Sequence, residues 1–398
     1  MRRLSVAFLA DYYIAWMGGA ALLAAMLDSV LRAAPAQNAA VHVMFSARHL
    51  PPELQRQTRD FLPLRREQVQ ATGAMRALLE GVPALQTLIF YSDLAATLAA
   101  LEVQVIGPTG SHPGPAVEQP WFAYLPDFQH QYLPHFFSAA ERSGRDAHLR
   151  HMVEGAQAIF VNAASVAADV QRFYPAAARS RRIHRIPQLY PALASAFEDR
   201  RAEVQARHGI TAPYLLSCSQ RWQHKQHEVV IAAYAEHRQA RPNEPLQLVF
   251  TGELGDHRNP GYAEAVERQI DALGLRAQVR QLGLLPRDEQ LQLVAGARAV
   301  VQASLFEGGP GASGTLEATL LGTPVIASDI DANRELKFGR LRLFDAQRPQ
   351  SLMRAFEALA TEPAGGADDR RPFDLTQIEY LSLAGGLEML ATLRSALR

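Results

Sequence analysis

Short apolar runs alternate along the chain with longer amphipathic stretches. Runs with the length and composition of buried strands occur at Leu4–Ala10, Val41–Phe45, Leu88–Tyr91 and Ala158–Val161. Between such runs, apolar residues recur at helical spacing, as at Leu23, Leu27, Val30 and Leu31. Strands that alternate with helices are typical of parallel sheets covered on both faces, so the pattern predicts an α/β fold of the doubly wound type.

The alternation stops after Pro187 and resumes at a new strand, Tyr214–Cys218. In between we expect a linker that contains one charged helix, Asp199–Arg207. A chain of 398 residues is long enough for two domains, each with its own core. The sequence therefore predicts an N-terminal domain over 1–190 and a second domain over 191–376.

Composition excludes some classes of partner. The charges balance, with 40 basic and 40 acidic residues, so no overall field would recruit nucleic acid. The only cysteine, Cys218, cannot form an intramolecular disulfide, which fits a reducing cytoplasm. No apolar run approaches the roughly 18 residues that a spanning helix needs. We therefore expect a cytoplasmic protein without a membrane-spanning segment.

A glycine-rich loop in the second half of the chain lies between a strand that ends near Ala303 and a helix that begins near Thr315. Its glycines are Gly308, Gly309, Gly311 and Gly314. A helix N-terminus that follows glycines presents backbone N–H groups and is suited to bind phosphate. Glu307 and Glu317 bracket this site and would repel phosphate, so we expect them to face hydroxyl groups on either side. An anion between two hydroxyl-rich groups describes a nucleoside diphosphate sugar.

The same loop allows a different interpretation. The stretch from Gly309 to Gly314 fits G-x-G-x-x-G, and Asp329 follows Gly309 by 20 residues, which is the dinucleotide-binding spacing. Against this, the glycines do not directly follow the strand, and the acidic Glu307 precedes them. An NAD-dependent oxidoreductase and a glycine-rich loop without a ligand are the alternatives at this point.

A cationic loop, Ser219–His227, directly follows the strand Tyr214–Cys218. Arg221 and Lys225 carry charges that would neutralise a diphosphate, with the lysine acting as a compact point charge. His224 and His227 flank Lys225, but no carboxylate or cysteine joins them to complete a metal site. The sequence therefore predicts an anion site without a metal.

Two loops of the first domain are further candidates. Asp127 and His130 follow a strand that ends near Leu125, and ligands of open α/β sheets bind beyond the carboxyl ends of strands. A hydrogen bond within the loop is the purely structural alternative for this pair. Gly18 and Gly19 lie between the first strand and its helix, where paired glycines mark either a tight turn or a ligand loop.

The most basic run of the chain contains Arg179, Arg181, Arg182, His184 and Arg185. One interpretation is a solvated edge strand, which charged side chains protect from pairing with other chains. The other is a patch that attracts anionic lipid or a lipid diphosphate acceptor. The sequence leaves both interpretations open.

Three blocks of the sequence together resemble family 4 of the group 1 glycosyltransferases, which are retaining enzymes of GT-B fold. Glu307-Gly308, Leu316-Glu317-Ala318 and Gly322–Ser328 match the donor-site signature of that family. The other two blocks are Leu125–Ser138 and Leu216–His227. The loop from Glu307 to Glu317 is about two residues longer than in relatives, and the position where some relatives have a second cation is Gln220.

The resemblance implies two Rossmann-like domains that face a cleft, with a last helix at 377–398 returning to the first domain. It implies a retaining glycosyltransferase in which four residues act in catalysis: Lys225, Glu307, His130 and Asp127. It also implies that the donor is bound by Gly18, Gly19, Gln220, Arg221, Lys225, Gly308, Gly309, Gly311, Gly314, Thr315, Leu316 and Glu317. Neither a cofactor nor a metal is implied.

The expected partners are a nucleoside diphosphate sugar and a glycan or lipid-linked acceptor, as in surface polysaccharide or O-antigen-type biosynthesis. Weak peripheral contact with the inner face of the membrane would fit a lipid-linked acceptor. A non-catalytic paralogue that binds a sugar nucleotide would share these motifs and is a further alternative. No nucleic acid is expected among the partners.

Overall fold

The chain forms two compact units in a computed structural model that describes residues 3–186, 198–310, 314–336, 340–361 and 375–397. The first unit comprises Met1–Pro126, Ser143–Ser195 and Leu375–Arg398, and the second comprises Asp127–Arg142 and Ala196–Asp374. The segment 127–142 thus groups with the second unit, whereas the sequence placed all of 1–190 in one domain. The predicted boundary between 190 and 191 lies outside the described residues.

The strands in the described ranges are β1 (Leu4–Leu9), β2 (Ala39–Ser46), β3 (Phe61–Arg65), β4 (Thr87–Tyr91), β5 (Val105–Thr109), β6 (Trp121–Leu125), β7 (Ala158–Val161), β8 (Arg182–Arg185), β9 (Tyr214–Cys218), β10 (Gln247–Thr251), β11 (Val279–Gln281), β12 (Ala299–Gln302), β13 (Val325–Ser328) and β14 (Leu341–Phe344).

The α-helices are α1 (Met17–Ala33), α2 (Pro52–Gln57), α3 (Gly73–Gly81), α4 (Leu94–Ala100), α5 (Gln129–Tyr132), α6 (Ala139–Gly155), α7 (Ala164–Phe173), α8 (Pro175–Ser180), α9 (Arg201–Arg207), α10 (His227–Ala240), α11 (Tyr262–Ala272), α12 (Arg287–Gly296), α13 (Thr315–Leu320), α14 (Asp331–Arg334), α15 (Pro349–Thr361) and α16 (Leu375–Ser395). Short 3₁₀ helices lie at Tyr13–Ala15, Ala47–His49, Arg66–Gln68, Pro134–Phe136 and Gln223–Lys225.

Each unit contains one sheet. The first has the strand order β3-β4-β2-β1-β5-β6-β7-β8 and the second β11-β10-β9-β12-β13-β14. Every pairing is parallel except that of β3 with β4, which is antiparallel. In the first sheet β1 lies between β2 and β5, and in the second β9 lies between β10 and β12. The order in which strands are added therefore switches sides at β1 and at β9. Ligands of open parallel sheets bind at such switch points, beyond the carboxyl ends of the strands.

Helices cover both faces of the second sheet. Leu215, Leu248 and Phe250 point into one apolar cluster with residues of α10, α11 and α15. Their neighbours Leu216 and Val249 point into the other cluster, with residues of α12 and α13. Because successive side chains of a strand alternate between faces, strands with both faces buried read as continuous apolar runs in the sequence.

The last helix, α16, packs along α1 in the first unit. At Gly386 an added Cβ would lie 1.9 Å from the backbone oxygen of Ser29, so only glycine lets these helices approach so closely. Ser29 Oγ also donates to Ser382 Oγ at 3.4 Å. The C-terminal segment is therefore part of the first unit's core.

The structure differs from the sequence expectations in several elements. The charged helix begins at Arg201 rather than Asp199, although the Asp199 carboxylate accepts a hydrogen bond from the Arg201 backbone N–H at 3.1 Å. Strands β3 and β14 were not predicted.

Candidate active site

The loops that follow β9 and β12 meet at the switch point of the second sheet. Lys225 Nζ lies 2.5 Å from Glu307 Oε1, and the two side chains are 13% and 9% exposed. The loops are joined through their backbones as well, since Leu305 N–H donates to His224 O at 2.9 Å. Two residues that the sequence predicted to act in catalysis are thus brought together as a largely buried ion pair.

The backbone around Lys225 fixes where its side chain emerges. Gln223–Lys225 forms a 3₁₀ turn, and Gln226 adopts a left-handed conformation with φ 50° and ψ 47° before α10 begins. Asp256, 7% exposed, accepts from Gln223 N–H at 3.0 Å and from Arg258 N–H at 2.9 Å. This carboxylate ties the loop after β10 to the turn that presents Lys225.

Glu317 lies on α13, which begins directly after the glycine-rich loop. Gly314 precedes it at φ 76°, a conformation that favours glycine, and an added Cβ there would lie in tight contact, 3.1 Å from Cys218 Cβ. Glu317 Oε1 accepts from Arg287 Nη2 at 2.8 Å. Thr315 is fully buried, and its neighbour Leu316 is also in the first turn of the helix.

The remaining glycines of the loop are only partly described. Gly308 is half-buried and Gly309 is buried. Gly311 lies outside the described residues, as do positions 312 and 313 of the G-x-G-x-x-G stretch. Asp329, the ribose ligand of the dinucleotide interpretation, is paired with Arg334 Nε at 2.7 Å.

Arg221 takes a position that the sequence did not indicate. Its side chain is buried, with Nη1 3.5 Å from Glu267 Oε1 and the guanidinium 5.7 Å from the centre of the Phe250 ring. Burial lowers the pKa of Arg221, and Glu267 opposes that shift. Gln220 Nε2 donates to Glu253 Oε2 at 3.3 Å. Arg221 therefore faces α11, whereas Lys225 faces Glu307.

The histidines beside Lys225 are buried and neutral. Burial, with Lys225 and Arg258 nearby, lowers the pKa of His224 to about 2. Burial and Arg221 lower the pKa of His227 to about 3, and its Nε2 lies 3.1 Å from Ser219 Oγ. Among the described residues, no group of three or more His, Cys, Asp or Glu side chains is arranged to hold a metal ion.

The segment with Asp127 and His130 lies in the second unit. Asp127 Oδ1 accepts from Gln129 N–H at 2.9 Å, and His130 is 2% exposed. The ring of Tyr132 stacks on Phe306, the residue before Glu307, with centroids 5.4 Å apart. The segment thus contacts the loop that carries Glu307.

A cavity of about 130 Å³ lies next to this site. Its lining is His135, Phe136, Trp222, Gln223, His224, Asp256, Arg258 and Asn259. The Arg258 guanidinium lies 4.2 Å from the centre of the Phe137 ring and 5.0 Å from that of Trp222, and Arg258 Nε lies 3.3 Å from Glu141 Oε1. Sequence reasoning missed Arg258 because no motif surrounds it.

Gly18 and Gly19 lie at the switch point of the first sheet, after β1. A Cβ on Gly19 would lie 2.4 Å from Tyr13 O and 2.8 Å from Trp16 Cε2. Neither glycine has a positive φ. Packing against Trp16 therefore explains why glycine occurs here, while their predicted role in donor binding stays a prediction.

Sequence reasoning also missed Gln302 and Asn333. Gln302 Nε2 donates to Glu307 Oε1 at 3.2 Å, and Asn333 Nδ2 donates to Gln302 Oε1 at 2.6 Å. Both side chains are buried. The only signal in the sequence was a glutamine at the end of an apolar strand.

Residues 200–366 match the family model described as glycosyl transferases group 1. The match covers most of the second unit, including the loops that carry Lys225 and Glu307. The resemblance to group 1 glycosyltransferases is confirmed. The comparison with curated proteins gave no match.

Several solved structures share the fold over the whole chain. HepE from Anabaena, in complex with UDP and glucose, has a TM-score of 0.64 at 16% identity, covering 99% of this chain and 100% of HepE. An α,α-trehalose-phosphate synthase (UDP-forming) from Burkholderia vietnamiensis has a TM-score of 0.64 at 12% identity, covering 100% and 99%. WaaG, a glycosyltransferase involved in lipopolysaccharide biosynthesis, has a TM-score of 0.55 at 15% identity, covering 98% of both chains. The predicted GT-B fold is confirmed.

Proposed function

We propose that this protein is a retaining glycosyltransferase of family 4 that moves a sugar from a nucleoside diphosphate sugar to a glycan or lipid-linked acceptor. The observation that carries the proposal is the buried Lys225–Glu307 pair at the switch point of the second sheet. It combines a cation suited to a phosphate with a carboxylate suited to a sugar hydroxyl. Both residues lie in the part of the chain that matches the family model.

In the proposed reaction, Lys225 stabilises the charge that develops on the departing phosphate. Negative charge grows there as the glycosidic bond breaks, so a fixed cation stabilises the transition state more than the ground state. The N-terminus of α13, reached through Gly308 to Gly314, adds positive potential on the same anion. Arg221 faces Glu267 on α11, whereas Lys225 faces the loop that carries Glu307, so we assign the main charge to Lys225.

The two carboxylates hold different parts of the donor in this proposal. Glu307 is next to the lysine that faces the phosphate and binds hydroxyl groups of the transferred sugar. Glu317, on α13, binds the ribose of the nucleotide. Its hydrogen bond from Arg287 orients the carboxylate until the ribose arrives.

The retaining course follows from the family resemblance. The leaving phosphate takes the proton of the acceptor hydroxyl on the same face of the sugar, so no protein nucleophile is required. Asp127 and His130 would contact the transferred sugar, because their segment packs on Phe306 beside Glu307. The proposal includes no metal and no cofactor.

The similar solved structures suggest which nucleotide and which acceptor to test first. HepE was solved with UDP and with UDP-glucose, and the trehalose-phosphate synthase is UDP-forming, so UDP is the first nucleotide to test. WaaG takes part in lipopolysaccharide biosynthesis, which favours a surface polysaccharide acceptor and a cytoplasmic location. Among the helices of the described ranges, none has the length and apolar character to cross a bilayer.

Calorimetric titration with UDP, GDP, ADP and NAD tests the donor class. We expect one nucleoside diphosphate to bind and NAD to fail. Binding of NAD alone would instead favour an oxidoreductase that uses Gly309 to Gly314. Nucleotide binding without transfer or hydrolysis for any donor sugar would indicate a non-catalytic paralogue. Retention is tested separately, by proton NMR of the anomeric configuration of the first product.

A further inference from the structure

Two donors converge on a single oxygen of the Glu307 carboxylate. Lys225 Nζ lies 2.5 Å and Gln302 Nε2 lies 3.2 Å from the same atom, Oε1. Within the described ranges no hydrogen bond reaches the other oxygen, Oε2. The carboxylate is thus held from one side and has an acceptor atom left for a ligand hydroxyl.

The amide of Gln302 has its own orientation fixed by Asn333. Asn333 Nδ2 donates to the backbone oxygen of Ser328 at 2.8 Å, and a carbonyl can only accept, so the nitrogen must face that way. The same nitrogen donates to Gln302 Oε1 at 2.6 Å. Gln302 must therefore turn its NH₂ group toward Glu307, which can only accept when ionised.

The location of Gln302 is unusual for a polar side chain. It ends β12, whose other residues are Ala299, Val300 and Val301, and it is 1% exposed. Asn333, from α14, is fully buried. Burying an amide costs free energy unless its hydrogen bonds are made, and within the described residues Asn333 Oδ1 has no hydrogen-bond partner. The pair is therefore buried at a cost that apolar residues would avoid.

We propose that Gln302 is a positioning residue: oriented by Asn333, it holds Glu307 Oε1 beside Lys225 and keeps Oε2 directed at a hydroxyl group of the transferred sugar. The inference rests on the proposed function, since it assumes that Glu307 faces the sugar. Gln302 itself does not touch the substrate. It acts by restricting the carboxylate to one rotamer.

The test compares the wild type with Gln302→Met, which removes the amide but keeps an unbranched side chain of similar length. We expect kcat for donor hydrolysis or transfer to fall at least about ten-fold, as for loss of a hydrogen bond to a charged group. Affinity for the free nucleoside diphosphate should change less than about two-fold, because that ligand lacks the sugar. Adding Gln302→Met to Glu307→Gln should cost little more, because the residue acts through Glu307.

A matched control is Gln247→Met in β10. Gln247 is 6% exposed and accepts from Thr211 N–H at 2.8 Å, so it is also a buried strand glutamine in this sheet. We expect that variant to lose thermal stability but to keep kcat. An unchanged kcat in Gln302→Met, or a loss that adds in full to that of Glu307→Gln, would overturn the proposal.

A binding measurement separates this inference from the proposed function. The wild type should bind the nucleotide sugar more tightly than the nucleoside diphosphate alone, and Gln302→Met should lose that preference. If the wild type binds the nucleotide sugar more tightly but shows no turnover, the proposed catalytic function fails. The positioning role is then decided by whether Gln302→Met loses the tighter binding. If the wild type has no such preference, the positioning role is overturned.

Discussion

At the scale of single residues, the central feature is that Lys225 and Glu307 neutralise each other in a largely buried position. Removing one partner of a buried pair leaves an uncompensated charge, which typically costs on the order of 3–5 kcal/mol. Each single variant therefore affects folding as well as chemistry. Replacing both partners removes the stability penalty, so the two effects can be separated.

The two carboxylates are expected to respond differently to isosteric replacement. Glu317→Gln should weaken binding of the free nucleoside diphosphate, because Glu317 is assigned to the ribose. Glu307→Gln should leave that affinity nearly unchanged while transfer falls. Calorimetry and turnover of both variants check the assignment, and equal weakening of nucleotide binding in the two would show that it is wrong.

The buried histidines predict how stability depends on pH. The pKa of His224 falls from 6.5 to about 2 on folding, so the unfolded chain binds the proton more readily. Its stabilising contribution is present above about pH 6.5 and is lost as the pH falls below that value. We expect the melting temperature of the wild type to fall more between about pH 7.5 and about pH 5 than that of His224→Gln. An equal fall of the melting temperature in both proteins would show that His224 does not cause this pH dependence.

Sequence motifs identified Lys225 and Glu307 because each lies at a fixed distance from neighbours in its own block. They could not identify the Gln302–Asn333 pair, whose members are 31 positions apart and meet only when β12 and β13 pair in register. They also did not indicate that Arg221 turns toward Glu267. Contacts between elements, rather than local spacing, decide these positions.

At the scale of elements, strands with both faces buried were predictable. Strands β1, β7 and β9 are almost entirely buried, and their sequences are accordingly nearly continuous apolar runs. Strand β3 escaped prediction because it is an antiparallel edge strand, Phe-Leu-Pro-Leu-Arg, with a central proline and partly exposed residues.

Two helical glycines are expected to respond in opposite ways to replacement by alanine, because only Gly386 lies in the contact of α1 with α16. Gly386→Ala would place a methyl group 1.9 Å from Ser29 O and should destabilise the protein by about 1–3 kcal/mol. Gly144, in α6, has no heavy atom within 4 Å of an added Cβ, so Gly144→Ala should be neutral or stabilising by up to about 1 kcal/mol. Thermal unfolding of both variants provides the comparison. A fully stable Gly386→Ala would mean that the helices are not packed so closely.

At the scale of the whole molecule, charge is balanced overall but concentrated at one edge of the first sheet. Arg179, Arg182 and Arg185 are exposed, on α8 and on the edge strand β8. Arg181 is half-buried and donates to Glu154 O at 3.0 Å. Three of the four arginines are thus exposed at this edge, and one is half-buried.

This edge predicts weak binding to anionic vesicles. Each arginine near such a surface contributes about 1 kcal/mol, and the attraction is screened by salt. Co-sedimentation at low salt should be reduced in Arg179/Arg182/Arg185→Gln and retained in Arg56/Arg59/Arg76→Gln, which removes the same charge from other exposed positions. Binding that is absent, or equal in both variants, would leave the basic run as ordinary protein surface.

The most direct test of the central claim is the rate at which nucleoside diphosphate is released from a panel of UDP, GDP and ADP sugars. We expect the wild type to release nucleoside diphosphate from at least one donor, and Lys225→Ala to lose about 10²–10³ in rate, as for removal of one transition-state donor. The double variant Lys225→Ala/Glu307→Gln should regain thermal stability without regaining activity. If folded Lys225→Ala protein released nucleoside diphosphate at the wild-type rate, the proposed role of Lys225 in catalysis would be contradicted.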